Sequence, residues 1–324
     1  MTARHAISVV LATIAMLVGA ALHAQPYPSK PVRVVVPFPP GGAVDFYARA
    51  VQQPLSEAFG QPVVIDNRVG ASGMVGADHV AKSAPDGYTL LLGNIASLAI
   101  NAAIYAKMPY DPVKDFTPIM RTIDVNYALV VHPSVPVRSV AELVAYAKAR
   151  PGKVAYGSAG SGSLPHLATE LFKARTGVEM VHVPYKGGGP MVTDLLGGTV
   201  QVVIADQANL MPHVKSGRLR ALAVASPRRS PNYADLPTIA ESGVPGFQAV
   251  AWNGLVGPAG MPPEIVKRVH EAFARAMALP AVREKLLAGG LDPVGDSPEE
   301  FARFNRDEIA KWSKIAKDVG ARAD

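Results

Sequence analysis

The chain has 324 residues, enough for two domains with cores of their own. Its composition is 49% apolar but only 6% aromatic, a globular balance built on Ala, Val, Leu and Ile, and the lack of cysteine excludes disulfides, thiolate metal sites and a cysteine nucleophile. The formal charge of +6 is spread thinly, with no basic run interleaved with aromatics, which argues against a nucleic-acid partner.

Residues 1–24 read as a secretory signal: Arg4 and His5 precede an apolar run over 7–22, and Ala24 offers a small residue before Gln25, the expected cleavage point. The run is short for a membrane anchor and no positive stop-transfer flank follows it. Cleavage takes the charge to +5 and leaves a soluble, exported, periplasmic protein, with no cysteine for a lipid anchor.

The mature chain opens with a continuously apolar strand at 31–36, as buried parallel sheets use. A turn follows, Pro37-Phe38-Pro39-Pro40-Gly41-Gly42-Ala43-Val44-Asp45, and then a helix with Phe46, Ala50, Val51 and Leu55 on one face. The turn holds no cation. Asp45 can cap the helix, orient the loop or accept a bond from a ligand. A strand at 62–65, a Gly/Ser loop with a helix to about 83, and a strand at 88–92 continue the alternation; Ala96 and Ser97 lie in the last loop, before a short helix with Ile100 and Ile104. The βαβαβα pattern predicts a parallel sheet covered by helices, with ligands beyond the carboxyl ends of its strands.

Extended segments at 116–123 and 127–132 have no helix between them and read as a crossing into a second domain. A helix at 140–149 and a strand at 153–156 lead to the run YGSAGSGSLPH, residues 156–166, with a helix predicted over 167–176. This is a second strand-to-helix turn made almost wholly of Gly and Ser. Glycine lets backbone amides approach a bound group closely, and a helix start offers unpaired N–H donors and a partial positive charge. The turn is therefore read either as a neutral carboxylate cradle or as an ordinary αβ turn with a serine cap. Strands at 179–183, 200–205 and 219–225 alternate with two more helices, and Tyr185-Lys186 and Asp206 follow the first two. An apolar stretch at 247–256 reads as the return crossing, and helices at 262–278, 280–287 and 298–319 pack on the first domain. The expected architecture is two α/β lobes joined by two crossing strands: residues 25–124 and 248–324 in one, 125–247 in the other, with the two Gly-rich turns facing each other across the cleft.

Other chemistries find little support. No serine has the G-x-S-x-G setting, no P-loop or G-x-G-x-x-G fingerprint occurs, and the eight histidines lack metal-ligand spacing.

Four motifs occur in order: PFPPGGAVD at 37–45, YGSAGSGSLPHL at 156–167, VPYKGGGP at 183–190 and DLLGG at 194–198, joined by AWNGLVGPAGMP at 251–262. Together they resemble the Bug family, the periplasmic substrate-binding receptors of tripartite tricarboxylate transporters, over the whole chain from about residue 28. The resemblance implies a periplasmic-binding-protein-like fold of type II, a Venus flytrap acting as a monomer. It implies a non-catalytic receptor without a cofactor, which closes on a small organic carboxylate (a di- or tricarboxylate, an amino acid or an aromatic acid) and presents it to integral-membrane transporter subunits. By motif position, Phe38, Gly41, Gly42, Ala43 and Asp45 line one wall, and Ser158, Ser161, Gly162, Ser163 and His166 the other. Ala96, Ser97, Tyr185, Lys186 and Asp206 are further candidates. Asp206-Gln207-Ala208-Asn209 departs from the family's Asp-Asn/Ser-x-Pro pattern, which bears on the ligand's distal contacts. The rival readings are a secreted hydrolase using Ser161 or Ser163 with His166, and a carboxylate sensor docking on a signalling receptor.

Overall fold

The computed structural model describes residues 27–230 and 233–322, so the expected signal segment and its cleavage point lie outside the described residues. The chain first runs β1 (Val32–Val36), α1 (Ala43–Phe59), β2 (Val63–Asn67), α2 (Met74–Ala81), β3 (Thr89–Asn94), α3 (Asn101–Ile104) and β4 (Phe116–Val125). One residue, Asn126, separates β4 from β5 (Tyr127–Val131), which belongs to a different sheet. Next come α4 (Val140–Lys148), β6 (Val154–Ser158), α5 (Leu164–Thr176), β7 (Met180–Pro184), α6 (Gly188–Leu196), β8 (Val202–Asp206), α7 (Gln207–Lys215) and β9 (Arg220–Val224). The chain then returns to the first sheet through β10 (Ala251–Pro258) and ends in α8 (Pro263–Ala278), α9 (Pro280–Ala288), β11 (Leu291–Pro293) and α10 (Pro298–Asp318).

The result is two α/β lobes. The first sheet has the order β11-β4-β10-β3-β1-β2 and the second β7-β6-β8-β5-β9. Both are mixed. The βαβ units pair in parallel, as the alternation predicts, but the crossing strands β4, β10 and β5 enter antiparallel. Sequence signals for helix ends act as expected. Gly60 ends α1 with φ 63°, and Ser297 with Glu300 forms a capping box at the start of α10.

Most element ends fall within two residues of the sequence reading, and three departures are larger. Helix α5 starts at Leu164, three residues early, because Pro165 suits a first helical turn, where its missing N–H costs nothing. Residues 247–250 carry no strand; β10 begins at Ala251. Strand β11 went unread because it is three residues long and ends in proline.

The first core packs Trp252 edge-on against Phe301 and Phe304, fixing α10 to β10. Helix α10 also touches α5 of the other lobe. Among the described residues, no helix is long and apolar enough to cross a membrane.

Candidate functional site

The turn after β1 is held in shape by one carboxylate. Asp45, only 2% exposed, accepts the Gly41 N–H at 3.0 Å and the Arg49 Nε–H at 2.8 Å on Oδ2, and the Asn67 amide at 3.0 Å on Oδ1. Asn67 Nδ2 also donates to Phe38 O at 3.1 Å. Burial opposes the charge on Asp45, but the hydrogen bonds from Arg49, Gly41 and Asn67 and the Arg49 charge outweigh it and hold the carboxyl at about 2. Gly41 takes φ 89°, which a side chain would resist, and nothing lies within 4 Å of where its Cβ would be. The remaining N–H groups of the first turn of α1 have no intrahelical partner and stay open. The Phe38 ring is wedged beside Gly73, whose Cβ would come within 3.0 Å of Phe38 Cζ and 3.2 Å of Ser97 Cβ.

This turn lines a cavity of about 590 Å³ between the lobes. Phe38, Gly41, Gly42, Ala43, Val44 and Phe46 form one wall, and Asp206, Ala208 and Asn209 of the β8–α7 turn the other. Val125, Tyr127, Ala251 and Asn253 of the crossing strands contribute to the lining, with Asn94 and Leu291. Among the described residues, no lysine, arginine or histidine lines it, and Asp206 is its one charged residue. Asp206 is spent on α7, accepting the Asn209 N–H at 3.0 Å and its side-chain amide at 2.8 Å. A capped α7 offers no open anion site, whereas α1 does.

The Gly/Ser turn after β6 is not part of this cavity's lining. In the second sheet β8 lies between β6 and the crossing strand β5, so the turn after β8 sits next to the crossing and the turn after β6 one strand farther out. Two of its side chains point into their own lobe. Ser158 is fully buried, accepts the Gly160 N–H at 3.2 Å and lies 2.7 Å from His182 Nε2. His166 accepts the Gly162 N–H on Nδ1 at 3.1 Å. Ser163 begins α5 but makes no side-chain cap; its hydroxyl donates to Gly160 O at 2.6 Å. Ser161 is exposed. Gly162, φ 77°, faces the other lobe: a Cβ there would come within 2.7 Å of Ile104 Cδ1. Among the other candidates, Ser97 is fully buried and brackets Asn94, Ala96 donates its N–H to Asn94 Oδ1 at 3.0 Å, Tyr185 donates to Asp194 at 2.7 Å, and Lys186 is exposed.

Sequence reasoning did not name Asn94, Tyr127 or Asn253 as candidates, and it named Asn209 only within the run that departs from the family pattern. Asn253 stands in the AWNGLVGPAGMP motif, and that placement was the available signal.

The family model described as "Tripartite tricarboxylate transporter family receptor" matches residues 47–321. The chain belongs to this receptor family. Among curated relatives, Protein BugT of Bordetella pertussis is 41% identical over 306 residues, covering 94% of each chain. Two solved structures are similar over about nine-tenths of the chain. One from R. palustris, with adipate, shares 43% identity at a TM-score of 0.79 and covers 91% of this chain and 99% of that one. MatC from Rhodopseudomonas palustris, with bound malate, shares 32% identity at a TM-score of 0.74 and covers 89% and 99%.

Proposed function

We propose that this receptor captures a small organic carboxylate between its lobes in the periplasm and delivers it to the membrane subunits of a tripartite tricarboxylate transporter. The observation that carries the reading is the open, neutral start of α1 in an interlobe cavity that no cation lines. A helix start contributes about 0.3–1 kcal/mol when exposed and about 2 when partly buried, so direct hydrogen bonds and closure of both walls must add to it. Closure follows from differential affinity, because a ligand touching both walls favours the shut form. The adipate and malate on the similar receptors make aliphatic dicarboxylates the first candidates.

The same geometry supports a receptor without catalysis. The serine–histidine contact beside the Gly/Ser turn, Ser158 to His182, is fully buried on the serine side, His166 uses Nδ1 on Gly162, and the exposed His132–Ser134 contact involves no residue of the cavity lining. The Gly/Ser turn, through Ser161 and Ser163, is the wall that closure adds beside the cavity.

A thermal-shift screen over aliphatic and aromatic carboxylates, followed by calorimetry, tests this. A ligand at a hundred times its Kd stabilises the folded state by about 2.7 kcal/mol, a clear rise in Tm. No shift with any carboxylate, together with stoichiometric labelling of Ser161 or Ser163 by a fluorophosphonate, refutes it. Co-purification with a signalling receptor instead of a transporter would reassign the delivery step.

A further inference from the structure

Asn94 and Asn253 are directly opposed in the antiparallel β3–β10 register, which puts their side chains on the same face of the sheet. The alternation along β10 says which face. Trp252 packs on Phe301, and a Cβ at Gly254 would meet the Phe301 ring, so these two neighbours turn toward α10. Asn253 turns the other way, and both asparagines line the interlobe cavity.

Asn253 is 2% exposed, and its Nδ2 has no hydrogen-bond partner among the described residues. Buried polar groups are nearly always paired, so an orphan calls for an explanation. Among the described residues the other buried side-chain atoms without a hydrogen bond belong to Asp78, Arg121 and Asp124, which sit in ion pairs, and to Asn101 and Asn305, and none of these residues lines this cavity. Asn94 is oriented by its own loop. Its Oδ1 accepts the N–H groups of Ala96 at 3.0 Å and Ser97 at 3.2 Å, which leaves its NH₂ as the free end. The two amides thus belong to paired residues that line one cavity, with the apolar Phe38, Val125 and Leu291 also in its lining.

We propose that Asn94 and Asn253 form an uncharged donor pair that grips a second acceptor group of the ligand, separate from the carboxylate held at α1. The pair selects acids carrying a second oxygen acceptor over acids with a bare apolar tail. This rests on the carboxylate-receptor reading. The unpartnered amide nitrogens of the pair are donors, so the group they select is an acceptor, a carboxylate or a carbonyl. A site built to hydrogen-bond such a group rejects analogues lacking it, because its own buried donors then go unpaired.

Calorimetry with adipate and hexanoate tests this, since the two acids share a six-carbon chain and differ in the second carboxylate. The wild type is expected to bind adipate at least about tenfold more tightly. Asn253→Ala is expected to remove that preference while hexanoate affinity stays within about twofold, and Asn94→Asp, which also adds a negative charge to the cavity, is expected to weaken adipate at least about fivefold more than hexanoate. Asn94→Asp keeps the oxygen that accepts the two backbone N–H groups, so it serves if Asn253→Ala fails to fold. Equal losses for both acids would mark a structural role and overturn the proposal, as would no loss. A wild type that binds hexanoate as tightly as adipate overturns the donor pair alone; one that binds no carboxylate overturns the receptor reading with it.

Discussion

Asp45 shows how a residue inside a recognised motif can act one step away from the ligand. Its carboxylate is engaged by Gly41, Arg49 and Asn67, so it shapes the turn whose amides are proposed to hold the acid. Asp45→Asn should cost about 1–3 kcal/mol, the usual penalty for losing a charged, buried acceptor. The pH dependence has a definite sign. The folded carboxyl titrates at about 2, below its ordinary value of 3.8, so its contribution is complete above about 4 and is lost as pH falls toward 2. Denaturant unfolding of wild type and Asp45→Asn should therefore differ most at neutral pH and converge in acid; a gap that does not narrow counts against the clamp. The motif PFPPGGAVD disclosed the turn, its glycines and the acid. Which way the acid points was not legible, because Asn67, which fixes it, comes from β2 and joins only on folding.

At the scale of elements, the Gly/Ser turn rests on a stack of rings. Tyr156 and His182 have centroids 4.9 Å apart, and His182 and His166 4.1 Å. The sequence exposed Ser158 and His166 as neighbours of the turn but gave no reason to include His182, which reaches it because β7 pairs in parallel with β6, Tyr156 opposite His182. Burial first, then the charge of His166, pushes His182 down to about 4, with Lys173 adding to the shift and Glu170 opposing it. Burial lowers His166 too, again with Glu170 opposing and Lys173 adding. Both are bases with depressed folded pKa values, so the stability they support is complete above about 6.5 and is lost as pH falls toward 4. Protonating His166 turns its Nδ1 into a donor facing the Gly162 N–H, so the turn is where acid should act first. Between pH 7 and pH 5 the wild type should lose on the order of 1–2 kcal/mol that His182→Gln does not lose, measured by denaturant titration at both pH values. Parallel losses in the two proteins would dissociate the histidines from the effect.

At the scale of the molecule, the two-lobe plan was legible because two extended segments with no helix between them leave little choice but a crossing. Which turns share a cavity was not legible, since that depends on strand order, and only the completed second sheet shows β8 standing between β6 and β5. The Gly/Ser turn still meets the other lobe, at Gly162 against Ile104. Gly162→Ala combines two costs that can be separated. The positive φ, 77°, strains any side chain by about 1 kcal/mol wherever the lobes sit, and the added methyl meets the Cδ1 end of Ile104, which must turn aside or push the lobes apart. Only the second should touch affinity, because a ligand gripped from both walls loses one of them. Gly162→Ala should therefore lower both Tm and carboxylate affinity, and adding Ile104→Ala should restore affinity by making room while leaving the backbone strain in place. If the double variant binds as weakly as Gly162→Ala alone, the loss comes from the turn's own distortion, and the lobe contact has no part in holding the ligand.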